Sequence, residues 1–93
     1  MDLYTVIFNF DGGTYISQIE SSSPKKAAIK WAKYLEINKI PGLGSASKKT
    51  IEMEIKDVFK TPVAVEETIN VWCTSLVTRG KLGLINIVKT KKA

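Results

Sequence analysis

Histidine is absent from the 93 residues and cysteine occurs once. Without histidine, the chain lacks the side chain that most readily moves protons near neutral pH. A lone cysteine without histidine excludes the usual zinc sets and any disulfide within the chain, so a reducing cytoplasm is the expected compartment. Cys73 lies mid-strand beside valines with no base to activate it, and reads as a buried structural thiol rather than a nucleophile. No apolar run approaches the roughly 18 residues that cross a bilayer. The opening MDLYTVIFNF has no basic start, apolar middle or small-residue cleavage site. Neither GxxxxGK[ST] nor GxGxxG occurs. Glu66 and Glu67 are neighbours in a loop, and nothing tunes them as an acid–base pair. The expectation is a non-catalytic protein with no cofactor, no metal and no membrane contact.

What is present is ordinary globular material. At 44% hydrophobic and 25% charged residues, the chain is neither disordered nor fibrous, and its length fits a single domain over 1–93. The net charge of +5 is unevenly spread. Residues 25–49 carry seven lysines against one glutamate, and residues 78–93 carry five basic residues and no acid. Residues 50–67 carry five acids against two lysines. Two basic zones favour an anionic partner through long-range attraction, and they serve solubility equally well.

Alternation marks the strands. Tyr4, Val6, Phe8 and Phe10 share one face of the first apolar segment, with Leu3, Thr5, Ile7 and Asn9 on the other. Asp11-Gly12-Gly13 is a tight-turn signal, because glycine accepts positive φ. Thr14 to Glu20 alternates again, and pairing across the turn brings Tyr15 and Ile19 onto the Tyr4 face. Residues 1–20 therefore read as a hairpin. Ser23 and Pro24 suit the cap and first position of a helix. Ala28, Trp31, Ala32 and Leu35 then form one apolar stripe, with Lys26, Lys30 and Lys33 projecting opposite. This helix is expected to reach Asn38 or Ile40, where Pro41-Gly42 stops it.

Residues 48–59 fit two periods. Ile51, Ile55 and Phe59 are at helical spacing, while Ile51, Met53 and Ile55 also alternate with charged residues as in a strand. Length and the lysine and glutamate content favour helix. Residues 60–68 read as a loop. Residues 68–90 read as a second hairpin around Arg79-Gly80, with Val77 opposite Leu82, Val71 opposite Val88 and Trp72 opposite Ile87. Residues 91–93 form a short basic tail.

The expected fold is α+β, a four-stranded antiparallel sheet in ββ-α-α-ββ order with helices on one face. Both faces of the second hairpin are apolar: Trp72, Leu76, Ile85 and Ile87 on one, and Val71, Cys73, Val77, Leu82, Leu84 and Val88 on the other. Few elements remain to cover a second face. Trp72, Leu76, Ile85 and Ile87, or their opposites, are therefore candidates for a protein interface, with a second copy of the chain as one candidate partner.

One segment carries a sharper pattern. Ile37-x-x-Ile40-Pro41-Gly42-Leu43-Gly44-x-x-x-Lys48-x-x-Ile51 resembles the helix-hairpin-helix motif, with lysine where that family has a small residue. The resemblance implies that Gly42 and Gly44 present backbone N–H groups to a nucleic-acid phosphate, that Leu43 plugs the hairpin, and that Lys48 and Lys49 reach the backbone. Physically, glycine has no β-carbon to block approach, and a helix N-terminus favours anions. Lys26, Lys30 and Lys33 would extend such a phosphate-binding surface. The competing reading is punctuation: Gly42 ends one helix, and Ser45 or Ser47 caps the next. Residues 4–35 also resemble the strand–turn–strand–helix opening of the HicB-type antitoxin fold, which carries no functional residue over. Trp31 and Trp72 could each stack on a base, but Trp31 lies on the apolar stripe and belongs to the core. The leading expectation is a protein-binding module acting through a sheet face. Nucleic-acid backbone binding through residues 42–49 is the alternative.

Overall fold

The computed structural model describes residues 1–57 and 62–91. Strand β1 (Asp2–Phe10) turns into β2 (Gly13–Ser21), followed by helices α1 (Pro24–Lys33) and α2 (Ser45–Lys56) and strands β3 (Val63–Ala64), β4 (Val71–Thr78) and β5 (Lys81–Thr90). They form a five-stranded sheet in the order β2-β1-β5-β4-β3, with every pairing antiparallel. The expected four strands are thus five. β3 is two residues long, too short to show alternation, and exists by pairing with Trp72 and Cys73.

Both long hairpins close on two-residue turns. Asp11 and Gly12 have φ of +48° and +82°, and Arg79 and Gly80 have +54° and +73°. Positive φ at both central residues gives the turn whose twist matches that of the flanking strands. The registers follow: Phe8 pairs with Tyr15 and Tyr4 with Ile19, while Val77 pairs with Leu82 and Trp72 with Ile87. β5 then lies antiparallel against β1, setting Ile85 beside Phe8 and Ile87 beside Val6.

That register decides which face is the core. Tyr4, Val6, Phe8, Phe10, Leu76, Ile85 and Ile87 all point to the helix side and are buried. α1 lies over β2 and β1, and α2 over β4. Ala27, Ala28, Trp31 and Ala32 of α1 are buried, the alanines letting the helix sit close while Trp31 meets Phe8 edge-on at 5.0 Å. α2 contributes Ile51 and Ile55, both fully buried. Met53 is exposed on its outer side, as helical rather than strand periodicity requires. Phe59 lies outside the described residues.

The ends of the helices depart from expectation. Ser23 does cap α1, its Oγ accepting from Lys26 N at 3.1 Å. The helix stops at Lys33, however, short of Asn38, and a separate 3-10 turn occupies Ile37–Lys39. Leu35 and Ile40 are both buried, and anchoring both against the sheet bends the chain out of a continuous helix between them. α2 begins at Ser45 behind Gly44 with no side-chain cap, so neither Ser45 nor Ser47 caps it. Ser47 is instead buried inside its first turn.

Candidate functional site: an uncovered sheet face and a free edge

The helices cover one face of the sheet. Alternation sends Ile7, Ile16, Val63, Val71, Cys73, Val77, Leu82, Leu84 and Val88 to the other, and among the described residues no element lies across it. Ile16 is 65% exposed, Leu82 58%, Val77 51% and Leu84 47%. Their neighbours on this face are uncharged in β1 and β5: Thr5, Asn9 and Asn86. Ile7 pairs directly with Ile16 and Val77 with Leu82; Leu84, whose direct partners are Asn9 and Ser75, lies diagonally between these two apolar pairs.

This placement corrects the first-named interface set. Leu76, Ile85 and Ile87 are fully buried beneath the helices. Trp72 is half-buried against the same core and meets Tyr4 edge-on at 6.1 Å. Of their opposites, Cys73, Val77, Leu82 and Leu84 are exposed and Val71 and Val88 half-buried. The cause is the β1–β5 pairing, which fixes β5's orientation through the face that β1 shares with α1. Cys73 is likewise exposed rather than buried, because it alternates with Trp72. Ile7 and Ile16 of the first hairpin belong to this surface as well, and the apolar residues on both faces of that hairpin are its sequence signal.

The glycine and lysine segment is built differently. Ile37–Lys39 ends in a tight turn, where Leu43 N–H donates to Ile40 O at 3.2 Å and Gly42 has φ of +88°. A β-carbon at either Gly42 or Gly44 would meet nothing within 4 Å, so the backbone here is open to approach. Lys48 N–H donates to Gly44 O and closes the first turn of α2. That turn carries no acid, and neither Lys48 nor Lys49 has an ion-pair partner among the described residues. Lys26, Lys30 and Lys33 lie exposed along α1. Lys30 Nζ is engaged on Glu20 O at 3.1 Å, and Lys33 Nζ lies 5.3 Å from the Tyr34 ring centre.

A third feature is a groove of about 470 Å³ along the outer side of β2. Thr14 to Ile19 form one wall, Trp31 and Leu35 its apolar depth, and Tyr34, Glu36 and Lys39 its far side. Lys39 and Glu36 pair at 2.9 Å, which leaves that side locally neutral. Among the described residues no group of three or more histidine, cysteine or acidic side chains could hold a metal ion, and no helix is long and apolar enough to cross a membrane. No family model matches this chain, and neither a curated protein nor a solved structure matches it.

Proposed function

We propose that this chain is a non-catalytic binding module whose uncovered sheet face docks against an apolar surface of a protein partner. The observation that carries the reading is the set of exposed apolar side chains Leu82, Leu84, Val77 and Ile16 on one uncovered face. An antiparallel sheet often leaves one face to water, but that face is then usually polar along each strand. Here the outer face of β4 and β5 is largely apolar, interrupted only by Ser75, Asn86 and Thr90, and exposed apolar surface of this kind marks an interaction site. A photo-crosslinking residue placed at Leu84 is expected to trap a discrete protein adduct in cells, while the same residue at Lys33 is not. An equal yield of adducts from both positions, or none from position 84, would overturn the reading.

A second reading has its own support. The open backbone at Gly42 and Gly44, the acid-free first turn of α2, and Lys48 and Lys49, which have no ion-pair partner among the described residues, suit contact with a phosphate backbone. Titration with short duplex and single-stranded DNA and RNA tests it. Binding must weaken steeply with salt and fall further in Lys48→Ala/Lys49→Ala. Absence of binding at low salt would eliminate this reading and leave the sheet face unaffected.

A further inference from the structure

We infer that β2 pairs through its free edge with β2 of a second copy of this chain, antiparallel about a two-fold axis at Ile16, to make one sheet continuous across two protomers. The pairing uses the backbone edge of β2, and Ile16 is the one side chain it shares with the uncovered face. Leu82, Leu84 and Val77 lie on β5 and β4 away from this edge, and a variant at Leu84 separates the two readings.

The hairpin turn determines which backbone groups are free. In a two-residue hairpin, the residues flanking the turn exchange both of their hydrogen bonds. Phe10 and Gly13 are that pair. Counting back by twos, Gly13, Tyr15, Ser17, Ile19 and Ser21 direct their N–H and C=O to β1, while Thr14, Ile16, Gln18 and Glu20 direct theirs outward. The structure bears this out at Glu20, whose carbonyl oxygen accepts from Lys30 Nζ. It also does so at the wide pairs, where side chains approach closely. Thr14 Oγ1 donates to Asn9 Oδ1 at 2.8 Å and Gln18 Nε2 to Thr5 Oγ1 at 3.3 Å. Thr14, Ile16 and Gln18 are left facing the groove, and among the described residues no backbone group across it bonds to theirs.

The two edges of the sheet are treated unequally. At the far edge, β3 covers β4 at Trp72 and Cys73, and Glu54 Oε2 of α2 accepts from Val77 N–H at 3.2 Å. β3 itself is short and follows Pro62, both common ways to blunt an edge. β2 has no covering strand among the described residues, and its side-chain contact of this kind is Lys30 Nζ on Glu20 O near its end. It spans nine residues in unbroken register with β1, and contains no proline, no lysine and no bulge. From Gly12 to Ile19 it is also uncharged.

The occupant follows from the sequence of the edge itself. Antiparallel pairing about Ile16 sets Ile16 against Ile16 of the partner subunit, and Thr14 against Gln18 of the partner subunit. Each of these pairs can exchange two backbone bonds. Apolar meets apolar at the axis, and a hydroxyl meets an amide on either side. A net charge of +5 on each copy would oppose association, but the residues that pair, Thr14 to Gln18, are uncharged, and across the groove Lys39 is neutralised by Glu36. The groove supplies the space in which the added strand lies.

Sedimentation equilibrium of the full chain from about 10 µM to 1 mM tests the pairing. A dimer is expected. Ile16→Lys and Ile16→Glu should each weaken association by about tenfold or more, since like charges meet at the axis. An equimolar mixture of the two should restore it, and Leu84→Glu should leave it unchanged. As a measurement that needs no variant, the amides of Thr14, Ile16 and Gln18 should exchange with solvent more slowly as concentration rises. A monomer at 1 mM, a dimer that survives both charged variants, a mixture that fails to re-associate, or exchange at these amides independent of concentration would each overturn the inference.

Discussion

Gly83 lies against the ring of Phe8 so closely that a β-carbon at position 83 would fall 2.7 Å from Phe8 Cε1 and 3.0 Å from Leu76 Cδ1. Phe8 is fully buried and is flanked by Phe10 at 5.7 Å and Trp31 at 5.0 Å. Gly83 sits on the core face of β5 between Phe10 of β1 and Leu76 of β4. The absence of a side chain there is what lets an aromatic from β1 spread across β5.

Gly83→Ala should therefore destabilise the fold by overpacking, by about 1–3 kcal/mol, although alanine suits a strand better than glycine. Urea denaturation should show a lower midpoint with an unchanged slope. Pairing the substitution with Phe8→Leu should recover part of the loss, because the smaller side chain frees the space the methyl needs.

Lys25 ties the two helices together. Its Nζ donates to Ile55 O and to Asp57 O, where α2 ends and the helix has no further N–H to offer its last carbonyls. A cation at that end also complements the helix dipole. Lys25→Met keeps most of the aliphatic stem and removes the charge, and is expected to cost about 1 kcal/mol. Amide exchange should speed up selectively in the last turn of α2.

Arg79 adopts a left-handed conformation that asparagine tolerates better. Arg79→Asn should raise stability by about 0.5–1 kcal/mol, read as a higher melting temperature. Gly80→Ala, at φ +73° with open space around it, should lower stability by about 1 kcal/mol from backbone strain alone.

Leu84→Glu should leave stability within about 0.5 kcal/mol, since its side chain is half exposed and lies outside the core. Binding of a hydrophobic dye such as ANS should fall in the same variant. A large loss of stability would mean that this side of the sheet contributes to the fold and is not a free surface.

Much of the architecture was legible because it rests on local signals. The second hairpin's register, the face that Tyr15 and Ile19 share with Tyr4, the Ser23 cap and the Ala28–Leu35 stripe follow from turn chemistry and periodicity, and the structure has them as expected. The misreadings share a cause: they depend on contacts distant in the chain. Which face of β4 and β5 is covered is settled by β5 docking on β1, and nothing in residues 71–90 states it. β3 is a strand only because β4 is beside it. α1 stops at Lys33 because Leu35 and Ile40 are held by the sheet, whereas Pro41 and Gly42 had suggested a later stop. The free edge of β2 was within reach of sequence reasoning, since Thr14 to Ile19 lack charge and proline, but its status as an edge needed the strand order.

The sheet order joins β1 to β5, strands from opposite ends of the described chain. Each hairpin can form early from nearby residues, yet the core assembles only when a segment of roughly eighty residues closes between them, a slow step in topologies dominated by distant contacts. During synthesis the β1–β2 hairpin and α1 emerge with Phe8 and Trp31 lacking the Ile85 and Ile87 surface that completes their packing. The nascent chain thus stays unfinished until β5 clears the ribosome. Folding should then complete in one cooperative event, and fragments cut between α2 and β4 should be individually unfolded but able to reassemble when mixed.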